Sequence, residues 1–205
     1  SRVIVKHENH TPVGAFKVRG GLVYFDDLRT RDPQCRGVIT ATRGNHGQSV
    51  GFAARLHGLR AVVYVPRGNS PEKNAAMRAL GVELVEFGDD FQAARERAGE
   101  AAAAEGLHFV PAFAPALVRG VATYWLELLT AVPDLDVVFV PDGQGSGITG
   151  CIAARAALAR TRPRIVGVVS SQAPCYARSW REGRAVEAPA TTAIADGLAC
   201  RVPGP

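Results

Sequence analysis

The 205-residue sequence is poor in the features that announce a metal or disulfide framework. Its four cysteines, Cys35, Cys151, Cys175 and Cys200, lie far apart, form no CxxC pair and join no histidine at zinc-ligand spacing. A disulfide scaffold and a zinc module are therefore both set aside. Long apolar runs are missing too: Val137 to Val140 is far too short to span a bilayer, and the opening residues lack a charged-then-apolar signal pattern. No membrane association is expected, and the cytoplasm is the expected compartment. Basic residues outnumber acidic ones by a net charge of +5, yet no run of five or more basic residues occurs. That pattern predicts a solvated surface with a mild preference for small anions and no nucleic-acid partner. Linkers rich in Pro, Gly or Ser, low-complexity stretches and internal repeats are absent, so any domain boundary is topological.

What the sequence does have is 47% hydrophobic content arranged in alternation. β-branched runs at Val3 to Lys6, Gly37 to Thr40, Ala61 to Val65, Glu83 to Phe87, His108 to Val110, Val137 to Val140 and Arg164 to Val169 read as strands. Ala-rich amphipathic stretches at Gln48 to His57, Pro71 to Leu80, Phe91 to Glu105, Ala116 to Ala131 and Thr149 to Arg160 read as helices, several closed by a glycine such as Gly58, Gly81 or Gly106. Strand-helix alternation predicts an α/β protein built from two open parallel-sheet domains. Residues 22–120 are expected to form a smaller domain, and residues 1–21 with 121–205 part of a larger one. The chain crosses between them near Leu22 to Arg36 and near Pro115 to Thr123. A lone opening strand and a final Pro203-Gly204-Pro205 turn suggest that both ends continue in the native polypeptide.

Three strand-to-helix turns carry unusual residues. The first, Lys6 to Gly21, sets Phe16 and Lys17 after a Pro12/Gly14 turn, where the strand ends of a parallel sheet open onto a ligand crevice. A lysine there becomes a nucleophile if desolvation lowers its pKa, although a lone lysine is usually just solvated. The second, Thr42-Arg43-Gly44-Asn45-His46-Gly47, offers free N–H groups and a positive helix end to a carboxylate; alone, it is also an ordinary capped turn. The third, Asp142-Gly143-Gln144-Gly145-Ser146-Gly147, has glycines that let backbone close on a phosphate, or simply make a structural turn. Gly145 to Gly150 also fits G-x-G-x-x-G, but Val169-Ser170-Ser171-Gln172 supplies no acidic residue for a ribose. A phosphate cup without a dinucleotide is the preferred reading, and a nicotinamide-dependent oxidoreductase the outlying one.

Together these stretches resemble the fold-type II pyridoxal-phosphate (PLP) enzymes, of tryptophan-synthase-β-like architecture, and within them the threonine/serine dehydratases. His10 to Gly21 is similar to the PLP-lysine segment, Thr42 to Gly47 to the asparagine loop, Gly143 to Gly147 to the phosphate loop, and Thr192 to Leu198 to a further loop of the dehydratase branch. The resemblance runs from about Val3 to the end of the chain. It implies that Lys17 carries the cofactor and removes the substrate Cα proton, that Phe16 packs beside the cofactor ring, and that Asn45 bonds the ring's phenolic oxygen. Gly143, Gln144, Gly145, Ser146 and Gly147 would hold the phosphate, and Thr42, Arg43, Gly44, Asn45 and His46 the substrate carboxylate. The implied reaction eliminates the β-hydroxyl of a hydroxy amino acid to give a 2-oxo acid and ammonia, and the implied assembly is a homodimer.

The sequence departs from the pattern in several places. Gln144 and Ser146 interrupt what is commonly a run of four glycines. Arg43 stands where relatives carry alanine or serine, which disfavours serine racemisation and puts a guanidinium where a second acidic group of the substrate could meet it; solvent exposure of Arg43, or pairing with a structural carboxylate, is the plain alternative. Val169 and Cys175 fall near the divalent-metal positions of some relatives and are not hard oxygen ligands, so no metal is expected. The residue that meets the pyridine nitrogen in the family has no counterpart here. The forms of the asparagine and phosphate loops look closest to dehydratases of hydroxyectoine breakdown. A β-replacement enzyme of the cysteine-synthase type and a non-catalytic binding module are the alternative functions.

Overall fold

The structure, a computed structural model, describes residues 2–192 and 194–204. Ala193 of the segment 192–198 and Pro205 of the final turn lie outside the described residues. Strands β1 (Gly37–Ala41), β2 (Arg60–Val65), β3 (Glu83–Glu86) and β4 (His108–Phe109) form one parallel sheet in the order β3-β2-β1-β4. Strands β5 (Val137–Pro141) and β6 (Arg164–Val168) form a second, two-stranded parallel sheet. Between the strands run α2 (Asn45–Leu56), α3 (Pro71–Ala79), α4 (Phe91–Glu105), α5 (Pro115–Ala131) and α6 (Ser146–Ala157). Helix α1 (Lys17–Arg31) precedes β1, and α7 (Cys175–Glu182) follows β6.

The central strand explains why the first sheet is sandwiched. Side chains alternate across a strand, and β1 is buried along its whole length. Val38 joins Val63 and Val65 in a core with Val50 of α2, Met77 of α3 and Phe25 and Leu28 of α1. Ile39 and Ala41, one residue out of phase, pack with Val62 and Tyr64 on the opposite face against Ala94, Ala98 and Ala101 of α4. A third core lies where Val138 and Val140 of β5 meet Val121, Trp125 and Leu129 of α5 and Cys151 and Ala154 of α6.

Helices α1 and α5 pack directly on one another and fall in the two segments expected to cross between domains. Their approach is closer than side chains allow. A Cβ at Gly120 would lie 2.1 Å from the carbonyl oxygen of Arg19, and one at Gly20 would lie 2.7 Å from that of Leu117. Arg19 then bridges Glu8 at 2.7 Å and Glu127 of α5 at 2.7 Å, and Lys6 also pairs with Glu127.

Two expectations need correction. Val3 to Lys6 forms no strand: Val3 is 85% and Val5 65% exposed, no ladder partner exists among the described residues, and ion pairs of Lys6 and Glu8 hold the segment instead. Helices α1 and α7 were not foreseen, because Gly20-Gly21 weakens the helical pattern of the first and the second spans only eight residues.

The glycine crossing gives a paired expectation. Gly120→Ala drives a methyl into backbone and should lower stability by about 2–3 kcal/mol in urea unfolding. Gly99→Ala, inside α4 with nothing within 4 Å of the new Cβ, should instead raise it by about 0.5–1 kcal/mol.

Candidate functional site

The C-terminal ends of β1 and β5 and the loop beyond β4 open on one cavity of about 240 Å³. Its wall holds all the singled-out residues: Phe16 and Lys17 from the start of α1, Thr42 to His46 from the β1–α2 turn, and Gly143 to Gly147 from the β5–α6 turn. The first and the third of the unusual turns meet across this cavity. Lys17 Nζ donates to Ser146 Oγ at 2.6 Å.

Lysine 17 is held there by backbone. It opens α1, its carbonyl accepts the Ser49 hydroxyl of α2 at 2.7 Å, and its amine lies 5.3 Å from the centroid of the Phe16 ring. Phe16 lines the cavity and stands 5.6 Å, centroid to centroid, from Tyr124 of α5. Burial pushes the Lys17 ammonium down to about 8, with the Asp142 carboxylate pulling the other way. The amine also sits at the positive ends of α1 and α6, which further disfavours its charge.

The β5–α6 turn is shaped as an anion cup. Asp142 Oδ1 accepts the N–H of Gly145 at 2.9 Å, and Gly145 takes a left-handed φ of +87° as the N-cap of α6. Thr149 N–H is the first to return to an α6-turn carbonyl, that of Gly145, leaving the Ser146, Gly147 and Ile148 N–H groups without a backbone acceptor among the described residues. Trp125 Nε1 donates to the Gly147 carbonyl at 2.9 Å and fixes the turn to α5. Gln144 donates from its side-chain amide to the buried Cys200 Sγ at 3.0 Å. Gly143 must be glycine for a steric reason, since a Cβ there would lie 2.6 Å from the Gly197 carbonyl oxygen.

The β1–α2 turn faces this cup. Thr42 is buried and its Oγ1 accepts the Gly44 N–H at 2.9 Å; Gln48 N–H returns to Gly44, so the amides of Asn45, His46 and Gly47 have no backbone acceptor among the described residues. Asn45 lines the cavity on its exposed side. His46 is 7% exposed, and burial together with the Lys17 charge drives it down to about 3, so it is neutral. Its Nε2 is buried with no partner, as is Nε of Arg43.

One residue of the wall, Lys73, escaped the sequence reading, and its partner Asp196 was read only as part of the segment 192–198. Lys73 of α3 donates to both carboxylate oxygens of Asp196, at 2.6 and 2.7 Å, linking α3 to the short 3-10 helix Asp196–Leu198. A lone lysine in a helix carries no signal of its own. Asp142 did carry one, because an Asp at the head of a Gly-rich turn bonds the backbone ahead of it, here the Gly145 N–H.

The lowered Lys17 pKa gives two measurements on the unliganded protein. Competitive labelling with acetic anhydride should find Lys17 half-reactive near pH 8. Unfolded, the amine keeps its proton to about 10.5; folded, to about 8. The cost of burial is therefore fully present below pH 8 and fades as pH rises from 8 to 10.5. Lys17→Met should stabilise the protein at pH 7 by about 1–3 kcal/mol, with the gain shrinking across that window.

A family model described as pyridoxal-phosphate dependent enzyme matches residues 1–205. The L-threonine ammonia-lyase of Geobacter sulfurreducens is 38% identical over 205 residues, which is 98% of this chain and 50% of that protein. Among solved structures, the processed form of threonine deaminase isoform 2 from Solanum lycopersicum superposes with a TM-score of 0.87 at 32% identity, covering 98% of this chain and 58% of that one. A diaminopropionate ammonia lyase from Escherichia coli, with a TM-score of 0.89 at 24% identity over 98% of this chain and 57% of the other, shares the fold. The chain thus spans about half the length of such relatives. With residues 1–205 all matched, the chain belongs to the fold-type II pyridoxal-phosphate-dependent enzymes, in their threonine/serine dehydratase family.

Proposed function

We propose that this chain is the cofactor- and substrate-binding part of an ammonia-lyase that eliminates the β-hydroxyl of a threonine- or serine-like amino acid. The observation that carries the reading is the 2.6 Å contact between Lys17 Nζ and Ser146 Oγ, residues 129 apart in sequence. It puts a partly neutral amine beside an anion cup, the pairing that a phosphorylated aldehyde requires. The orphaned Nε2 of His46 and the free amides of both turns fit the same group, since each is a polar atom that lacks a partner in the protein alone.

In this reading the amides of Ser146 and Gly147 and the Ser146 hydroxyl bind the phosphate, and Gly143, Gln144 and Gly145 form the rest of its cradle. Asn45 bonds the phenolic oxygen, and Phe16 supports the ring. The Thr42–His46 turn holds the substrate carboxylate through its main-chain N–H groups at the positive end of α2. Lys17 accepts the Cα proton, a task suited to an amine whose pKa has been brought down to about 8. When bound, PLP supplies the electron sink for the pair left at Cα. The hydroxyl leaves as water, water then releases ammonia, and the product is the 2-oxo acid. His46, held neutral, offers hydrogen bonding without a charge.

The wider expectations belong to the same reading. Residues 22–120 act as the smaller lobe, and 1–21 with 121–205 as part of the larger one. A homodimer in the cytoplasm is the expected state; the four free, buried cysteines and the lack of any helix long and apolar enough to cross a membrane, among the described residues, are compatible with it.

The test is the full-length protein loaded with PLP. Threonine or serine should yield a 2-oxo acid and ammonia, measured by a coupled dehydrogenase assay, and borohydride should fix the cofactor to the peptide containing Lys17. Lys17→Ala should lose that label and at least about a thousandfold in rate. A label elsewhere sinks the lysine assignment. A label on Lys17 with no 2-oxo acid from any β-hydroxy amino acid leaves the cofactor site and rejects the reaction, favouring β-replacement.

A further inference from the structure

The charges lining the cavity do not balance, and the imbalance is local. Lys17 faces the Asp142 carboxylate, and Lys73 is held by both oxygens of Asp196. Arg43 is the third cation of the wall, and it makes no hydrogen bond or ion pair among the described residues. Its Nε is buried without a partner, an arrangement that costs stability unless something else arrives to fill it.

The neighbouring acid is already committed. Past Arg43 the cavity adjoins a smaller one of about 50 Å³, which Arg43 shares with Asp90 and Arg201. Asp90 caps α4 through the Ala93 N–H at 2.8 Å with one oxygen and binds Arg201 Nε at 3.0 Å with the other. Arg201 also reaches Glu187 at 3.4 Å. Arg201 is thus satisfied, Asp90 is occupied at both oxygens, and Arg43 is left as a free fork between the two cavities.

The anion sites of the proposed reaction are already provided elsewhere. The phosphate has the N-terminus of α6 with Ser146, and the α-carboxylate has the N-terminus of α2. A third, separate donor group implies a third acceptor. We infer that Arg43 is a specificity-determining residue that binds a second carboxylate, on the side chain of the substrate, so that the enzyme prefers a β-hydroxy dicarboxylic amino acid over a neutral one. A planar guanidinium with several N–H groups on one edge matches a carboxylate in two parallel hydrogen bonds, which an amide or methyl cannot reproduce. The inference rests on the reading of the cavity as a PLP site for amino acids.

The test separates the two claims. Full-length, PLP-loaded protein is titrated calorimetrically with L-aspartate, its neutral isostere L-asparagine, and L-alanine; none of them has a β-hydroxyl to eliminate. The wild type should bind aspartate at least about tenfold more tightly than asparagine. Arg43→Ala and Arg43→Gln should remove that preference, leaving alanine binding and PLP affinity unchanged. Equal binding of aspartate and asparagine by the wild type overturns the inference. So does a loss that is the same for all three amino acids, which would put Arg43 on the α-carboxylate, and so does weakened PLP binding, which would put it on the cofactor. A parallel assay follows 2-oxo acid release from 3-hydroxyaspartate, threonine and serine. No release with the aspartate preference intact rejects elimination and keeps the carboxylate site; release without the preference does the reverse.

Discussion

A buried lysine amine at the meeting point of two helix N-termini is an electrostatically poor arrangement, and the rest of the architecture exists to maintain it. Lys17 opens α1 and points at the first residue of α6, so both helix dipoles oppose its charge, and burial adds to them. Asp142 moderates the effect without cancelling it: the same carboxylate is tied to the Gly145 amide, and burial raises its own pKa. The result is an amine that gives up its proton near pH 8 rather than a salt-bridged structural lysine. A full ion pair would have held the proton and made the side chain inert as a base.

Holding that amine in place depends on backbone rather than on side-chain packing. The Gly20–Gly120 crossing brings α1 against α5 with no room for a methyl group, and Trp125 of α5 then hydrogen-bonds the Gly147 carbonyl in the anion cup. Ser49 of α2 bonds the Lys17 carbonyl on the other side. Helix α5 therefore references both halves of the cavity, the amine through α1 and the cup through α6. Each link ends on a main-chain atom: the Arg19 and Leu117 carbonyls at the crossing, the Gly147 carbonyl bonded by Trp125 and the Lys17 carbonyl bonded by Ser49.

The sequence was most legible where local chemistry and geometry coincide. β1 and β2 are legible because strands buried on both faces are continuous β-branched runs, and the β5–α6 turn is legible as a turn because glycine takes the left-handed backbone found at Gly145. Helix α1 was hidden by the glycines that make its crossing possible, so a tertiary requirement erased the local signal. Val3 to Lys6 failed in the opposite way: β-branched composition suggests a strand, but a strand needs a ladder partner, and composition does not supply one. The Lys73–Asp196 pair, 123 residues apart, has no local signature and emerges only once α3 and the 3-10 helix meet over the cavity.

The departures from the family's phosphate loop can be understood in the same physical terms. A run of glycines serves two purposes, a turn that needs left-handed backbone and a surface without side chains in the way of the anion. Gly145 retains the first, with its φ of +87°, and Gly143 retains the close approach to Gly197. Gln144 avoids obstructing the cup by turning its amide to Cys200, whose thiol burial has pushed up to about 12 and keeps protonated. Ser146 is the one replacement that faces inward, and there a hydroxyl adds a donor at the positive end of α6 instead of blocking it. The loop thus keeps glycine at the two positions where backbone demands it, and spends the other two on contacts that anchor the turn and enlarge its hydrogen-bonding capacity.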